Sequence, residues 1–377
     1  MHSTGVLFLT LRVFSATGGI EKVCRLAGKA LYDLLNESGN QKVKVFSLYD
    51  KPTDINTIYF PATIFKGFAK KRGHFLYAAI NKGIHSRVVI LSHVNLLTIG
   101  YFIKLFSPKT KVILIAHGIE VWSSFPAWKK RMLQRCDEVL PVSHFTKKKM
   151  IEMYQLPEKK FTILNNCLDP FLSLPKQTEK DTRLLTRYGI DANDRVLLTL
   201  TRLASKEKYK GYDQVIQAVY NLKDKYASLK YLLVGKYDVA EKNRLDAMIK
   251  KLGLQGQIIF TGFVPDIELA GFYTLANLYI MPSKKEGFGI VFIEAMFYGK
   301  PVIAGNKDGS ADALKNGNFG LLVDPDNQQQ ITRALVEVLS NTEKYIPNHQ
   351  EVMQNFSFEV YKEKLKGILG GIVSSEN

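Results

Sequence analysis

The sequence predicts an α/β protein built from two doubly wound parallel sheets in tandem, and three observations carry that prediction. Short apolar runs alternate with helix-length amphipathic stretches along most of the chain, the signature of strand–helix–strand units. The 377 residues amount to about two ordinary domains, each long enough to bury a core. An aperiodic stretch with two prolines and mixed charge, DPFLSLPKQTEKDT from Asp169, splits the alternation into two series.

The first series of expected strands is VLFLTL (6–11), KVKVFSL (42–48), RVVILS (87–92), KVILIAH (111–117), EVLPVS (138–143) and FTILNN (161–166). The second is RVLLTLTRL (195–203), LKYLLVG (229–235), QIIFTGF (257–263), LYIMPS (278–283), KPVIAG (300–305) and FGLLVDP (319–325). A boundary near residue 175 gives an N-terminal domain over 1–175 and a C-terminal domain over 176–356. The last stretch, SFEVYKEKLKGILGGIV from Ser357, sets a capping serine before an amphipathic pattern and predicts a helix over 357–373 that packs back on the first domain.

Composition is globular, with 46% hydrophobic and 23% charged residues. Cys24, Cys136 and Cys167 lie far apart without metal-ligand spacing, which argues against a disulfide framework or a zinc site and favours a reducing, cytoplasmic setting. The run VLFLTL is too short for a signal peptide, and VVILSHVNLLTIGYFI from Val88 is interrupted by Ser92, His93 and Asn95, so no membrane-spanning helix is expected. Of the net charge of +17, residues 1–170 carry +14, from 25 Lys and Arg against 11 Asp and Glu. That asymmetry points to an anionic partner for the first half: a phospholipid surface, a phosphate-bearing substrate or nucleic acid. TIFKGFAKKRGHFLYAAINKG (63–83) interleaves aromatic and basic residues like a basic amphipathic helix, and HFTKKKM (144–150) adds a second cluster; solvated helix faces are the alternative.

Candidate chemistry concentrates in EGFGIVFIEAMFYGKP (286–301). Ligands of open parallel sheets sit beyond the carboxyl ends of the strands. The loop after LYIMPS therefore puts Glu286 in the crevice, and the helix that follows, closed by Gly299 and stopped by Pro301, carries Glu294 in its early turns. Gly287 and Gly289 let backbone N–H groups reach an anion at the positive helix end. Carboxylates there repel a phosphate, so they fit as acceptors for the hydroxyls of a sugar attached to it. The alternative is that both acids merely serve the helix dipole. Upstream, TLTRLASKEKYKGYD sets Arg202 just past a strand with Lys206, Lys208 and Lys210 behind it, a fork and point charges suited to a diphosphate. For Lys206 and Lys208 a solvated charge run is the simpler account.

These residues resemble glycosyltransferase family 4, retaining enzymes of the GT-B fold in which two Rossmann-like domains face each other across a cleft. EGFGIVFIE matches the family's two glutamates separated by seven residues; Arg202 and Lys210-Gly211 match its arginine and lysine-glycine; TGFVPDIEL (261–269), GNFGLLVDPDN (317–327), FTILNNCLD (161–169, with Asn166) and FSATGGIEKVCRLAGKAL (14–31) match four further segments. The resemblance covers nearly the whole chain. It departs at 306–314, where NKDGSADAL lacks the family's usual acid, and in a longer insert before the lysine-glycine, which leaves Lys206 as an alternative phosphate ligand to Lys210.

The resemblance implies a hexosyltransferase that keeps the donor's anomeric configuration. Glu286 would bind the donor hexose, Glu294 the ribose, and Arg202 and Lys210 the departing diphosphate. Phe288 and Gly289 would hold phosphate or sugar, Gly18 and Gly19 would approach the diphosphate, and Phe263 and Val264 would flank the base. His117 falls where the family places a histidine beside the hexose; a strand-end histidine with ordinary hydrogen bonds is the alternative, and is the preferred account of His93. Glu120 reaches the acceptor or simply starts a helix. No metal or cofactor is expected, the donor being a UDP- or GDP-sugar. The acceptor is expected to be a saccharide or lipid-linked saccharide of cell-surface glycan synthesis, with the protein peripheral on the inner face of a membrane. A sugar-nucleotide epimerase or a non-catalytic GT-B scaffold would keep the sheets without needing Glu286, Glu294 and Arg202 together. A nucleic-acid binder would be basic too, yet the lysines join no recognisable nucleic-acid motif.

Overall fold

The computed structural model describes residues 5–37, 42–174 and 180–370. Residues up to Asp169 and from Phe356 onward form one compact unit, and Pro170–Asn355 form another. The boundary expected near residue 175, and the end of the helix expected to reach 373, lie outside the described residues.

In the first unit β1 (Val6–Thr10), β2 (Val43–Ser47), β3 (Phe65–Gly67), β4 (Val88–Leu91), β5 (Lys111–Ala116) and β6 (Glu138–Pro141) make a parallel sheet in the order β3-β2-β1-β4-β5-β6. In the second, β7 (Arg195–Leu200), β8 (Leu229–Val234), β9 (Ile258–Gly262), β10 (Leu278–Met281), β11 (Val302–Gly305) and β12 (Leu321–Val323) take the order β12-β11-β10-β7-β8-β9. Both are the doubly wound Rossmann order, in which the strand order reverses beside the first strand of each series.

Helices cover both faces of each sheet, which is why the strands read as unbroken apolar runs. Val6 and Phe8 face a core shared with the helix Gly19–Glu37 and with Phe358, Tyr361 and Leu365 of the terminal helix Phe358–Leu369. Leu7 and Leu9 face the opposite core, with Phe75 and Ala79 of the helix Arg72–Ile84 and Leu97 and Ile103 of the helix Leu97–Phe106. Lys29 lies over the Phe358 ring and Lys362 pairs with Glu37, fixing the terminal helix to the first unit. The three cysteines are buried and unpaired, and burial pushes the thiols of Cys24 and Cys136 up to about 12.

Two expectations are corrected. FTILNN does not supply the sixth strand of the first sheet: only Phe161 bridges Val139, and the chain beyond it runs beside β6 with amides donated from Thr162 and Leu164, without a regular ladder. The sixth strand is instead Phe65–Gly67 on the opposite edge, inside the stretch read as one basic helix. Helix forms there only from Arg72, because Ala69 and Lys70 adopt left-handed backbone conformations and Gly67 is pressed so close to Lys51 that a Cβ would lie 2.5 Å from its carbonyl carbon. Among the described residues no helix is long and apolar enough to cross a membrane.

Candidate active site

The strand order of the second unit reverses between β7 and β10, and the loops that leave their carboxyl ends hold the residues singled out by sequence. Contact between the two loops depends on glycine. Gly211 has φ +84, and a Cβ on it would stand 2.3 Å from the Pro282 carbonyl oxygen. Lys284 N donates to Tyr209 O at 2.9 Å, a further tie between the loops.

This approach brings Lys210 Nζ to 2.5 Å from Glu286 Oε2, with the side chains only 15% and 19% exposed. Burial alone would depress the lysine, but the charge of Glu286 and its hydrogen bond outweigh burial and raise it. The Glu286 peptide is clamped by the loop after β11: its N–H donates to Asp308 Oδ2 at 2.6 Å, and its carbonyl accepts from Gly309 N at 2.8 Å. Asp308 Oδ1 accepts from Ser310 N at 2.9 Å. Burial first, and then the charge of Glu286, push Asp308 up to about 7. The stretch that departs from the family pattern therefore supplies an acid of its own, directed at the Glu286 backbone.

The helix Ile290–Phe297 begins from Gly289 at φ +85 with no side-chain cap, an arrangement suited to an anion. Phe288 beside it is buried. Glu294, one turn in, is 3% exposed and accepts from Tyr273 Oη at 3.0 Å. Burial, and then the Glu294 charge, raise Tyr273 well above its usual value, so the phenol stays a donor. An acid this buried and this fixed is poorly explained as a surface complement to the helix dipole.

Arg202 is not folded onto that pair. Its guanidinium binds Glu207, Nε at 3.0 Å from Oε1 and Nη2 to the same oxygen, and its side chain is 68% exposed. Tyr209 nevertheless feels Lys210, Glu207, Glu286 and Arg202 together, with burial the largest influence raising it. Lys206 is exposed, so of the two alternative phosphate ligands only Lys210 meets Glu286. Phe263 is half-exposed with Lys236 Nζ 4.6 Å from its ring centre, and Val264 is buried.

The first unit holds the remaining candidates. Gly18 and Gly19 are exposed at the start of the helix Gly19–Glu37. His117 follows β5 and is 9% exposed; its Nε2 lies 2.7 Å from the Ser92 carbonyl. A carbonyl only accepts, so Nε2 donates to it, and the buried Nδ1 has no partner among the described residues. Glu120 accepts from His117 N at 2.5 Å, and His93 Nδ1 accepts from Asn95 N at 3.0 Å, both local backbone duties.

Sequence reasoning missed four groups: Glu207, Asp308, Tyr273 and Asp50. Asp50, fully buried after β2, accepts from Val13 N at 2.6 Å, Phe14 N at 3.3 Å, Ser15 N at 2.7 Å and Ser47 Oγ at 2.5 Å, and so shapes the loop leading to Gly18 and Gly19. Its position at the carboxyl end of the second strand, where a dinucleotide-binding sheet places its ribose-binding acid, was the available signal.

Residues 181–355 match the family described as glycosyl transferases group 1. That stretch makes up nearly all of the second unit, Pro170–Asn355. An uncharacterized glycosyltransferase of Methanocaldococcus jannaschii is 26% identical over 260 residues, 68% of this chain and 62% of that protein, so the chain spans less than two thirds of that relative. A GDP-mannose-dependent alpha-(1-6)-phosphatidylinositol monomannoside mannosyltransferase of Mycolicibacterium smegmatis is 26% identical over 277 residues, 69% of this chain and 70% of that protein. Among solved structures, HepE of Anabaena in complex with UDP-glucose has a TM-score of 0.78 at 20% identity, with 97% and 99% of the two chains covered. That likeness, with the two Rossmann-ordered sheets, makes the chain GT-B in fold.

Proposed function

We propose that the protein is a retaining hexosyltransferase of family 4 type that moves a hexose from a UDP- or GDP-sugar to a saccharide or lipid-linked saccharide in cell-surface glycan synthesis. The observation that carries this reading is the Lys210–Glu286 pair at 2.5 Å, set where the strand order reverses and beside the uncapped start of the helix Ile290–Phe297. The match of residues 181–355 to the group 1 glycosyl transferases supports it, as do a mannosyltransferase relative that depends on GDP-mannose and a fold neighbour solved with UDP-glucose.

In this reading the diphosphate lies against the amides of Phe288 and Gly289 and the positive helix end. Lys210 shifts from Glu286 toward it, and Arg202, held meanwhile by Glu207, supplies the second cation as charge develops on the leaving phosphate. One such donor contributes about 3 kcal/mol to the transition state. Glu286, its peptide fixed by Asp308 and Gly309, accepts from hexose hydroxyls, and Glu294, held by Tyr273, accepts from the ribose. Phe263 and Val264 border the base. In this reading His117, as a neutral ring, accepts from a sugar hydroxyl at Nδ1. In this reading these residues bind, orient and neutralise, and no carboxylate acts as a covalent nucleophile. The leaving phosphate then takes the acceptor proton on the face it departs from, and the anomeric configuration is kept without a metal. A cytoplasmic, membrane-peripheral protein fits an acceptor carried on lipid.

The test is incubation with UDP- and GDP-hexoses and lipid-linked or free saccharides, reading nucleoside diphosphate release and the anomeric coupling of the product by NMR. An α donor should give an α product. Inversion, or a folded sample that releases no diphosphate from any donor, would overturn the reading.

A further inference from the structure

The first unit carries a second candidate site, whose lining includes none of the residues placed in the candidate active site. Between residues 55 and 119 there are nine Lys and Arg and no Asp or Glu. The fold gathers part of this run around a groove of about 680 Å³ beside the edge strand β3 and the helix Arg72–Ile84. Phe46, Phe68 and Tyr77 give the groove an apolar floor and wall, and Lys66, Lys71 and Lys82 are cationic, with His74 and His85 beside them; no acid lines it.

The cations are not committed elsewhere. None of Lys66, Lys71 and Lys82 has a carboxylate partner among the described residues, whereas Lys104, Lys111 and Lys147 of the same unit are paired with Asp137, Glu138 and Glu158. Lys66 Nζ rests 5.1 Å from the centre of the Phe68 ring and 5.9 Å from that of Phe46, so its charge lies over the apolar floor. Ala69 and Lys70, two successive non-glycine residues at φ +47 and +67, are held there by hydrogen bonds to Asp50 O and Leu48 O at 2.8 Å each. Such conformations persist only where the surroundings over-determine them, and they present Lys70 and Lys71 outward at one end of the groove. Tyr77 is 74% exposed, with Leu76 exposed beside it, an aromatic and an apolar side chain turned to solvent next to the cations.

We propose that this groove is a docking site for anionic phospholipid at a bilayer surface, with the phosphodiester on Lys66, Lys71 and Lys82 and the glycerol and first acyl carbons against Phe68 and Tyr77. Charge complementarity selects an anion. The aromatic floor and exposed Tyr77 select one with an apolar stem, which a free phosphate or an acidic polymer lacks. The proposal deepens the membrane-peripheral reading of the function by naming the face and the ligand class.

The test is sedimentation of the full chain with phosphatidylglycerol–phosphatidylcholine vesicles and with phosphatidylcholine alone. Binding to the anionic vesicles, weakened by salt, is expected to fall about fivefold for each lysine removed and about a hundredfold in the Lys66→Ala/Lys71→Ala/Lys82→Ala variant. Tyr77→Ser should weaken it several-fold without changing the salt dependence. Lys250→Ala/Lys251→Ala, in the second unit, should have no effect. Native binding by the triple variant, equal loss in the Lys250/Lys251 control, or retention of a soluble polyanion but not of vesicles would each overturn the proposal. Thermal stabilisation by a nucleotide sugar, measured on the same variants, keeps failure of this site distinct from failure of the donor site: the triple variant should retain it in full.

Discussion

Replacing Glu286 by Gln separates two tasks that converge on Lys210. The Lys210 ammonium lies 2.5 Å from Glu286 Oε2 between side chains 15% and 19% exposed, so solvent screens the pair only partly. Two unit charges 4 Å apart attract by about 4 kcal/mol at an effective dielectric of about 20. Desolvation cancels much of that, which leaves the roughly 1.5–3 kcal/mol typical of a charge-assisted hydrogen bond. A diphosphate that recruits the same ammonium must break or share this bond. Gln keeps the size and one acceptor oxygen but removes the competing charge. A nucleoside diphosphate without sugar should therefore bind Glu286→Gln up to about tenfold more tightly, a gain of about 1.4 kcal/mol. The additional affinity contributed by the hexose should fall, because a neutral amide accepts more weakly than a carboxylate. Titration calorimetry with the diphosphate and the corresponding sugar nucleotide measures both quantities. Equal or weaker binding of the bare diphosphate by the variant would refute the competition for Lys210.

Three further outcomes are expected. Asp308 has a folded value of about 7 against 3.8 for the free side chain, so its contribution to stability is complete below about pH 4 and is lost as pH rises through 7, at most about 4 kcal/mol; urea titrations of the native protein and Asp308→Asn should show their stability difference shrinking over that window, and a constant difference contradicts the assignment. Removing the His117 acceptor by His117→Phe should lower kcat/KM about ten- to a hundredfold with the melting temperature nearly unchanged, as read by steady-state kinetics beside calorimetry. Asp50→Ala leaves the Val13, Phe14 and Ser15 amides without their acceptor and should cost about 3 kcal/mol, with faster hydrogen exchange confined at first to residues 13–15.

Eleven of the twelve strands among the described residues were legible as apolar runs, because burial on both faces of a parallel sheet writes a continuous signal. The exception, Phe65–Gly67, has three residues in an aromatic and basic stretch whose composition reads equally well as helix, and only the close approach of Gly67 to Lys51 reveals the edge strand. FTILNN looked like a strand for the opposite reason: it is apolar and extended, but Asn165 turns its amide to the Val142 carbonyl where a ladder would continue. Within the site, Glu286, Glu294 and Lys210 were visible through their glycine-bounded motifs. Glu207, Asp308 and Tyr273 were not, since each acts on a partner that only the fold brings near: Arg202, the Glu286 amide and Glu294. Asp308 in particular sits in a segment whose sequence seemed to have lost its acid.

The central claim is that the loops after β7 and β10 form a nucleotide-sugar site. Thermal unfolding of the native protein and Glu294→Ala with UDP-, GDP- and ADP-hexoses tests it most directly. Saturation at about a hundred times Kd adds about 2.7 kcal/mol, a rise of roughly 5–10 °C for a unit of this size. The account predicts that one base series raises the native melting temperature by that amount and that most of the rise is lost in Glu294→Ala. A native protein unmoved by every sugar nucleotide, or a variant stabilised as much as the native, would contradict it.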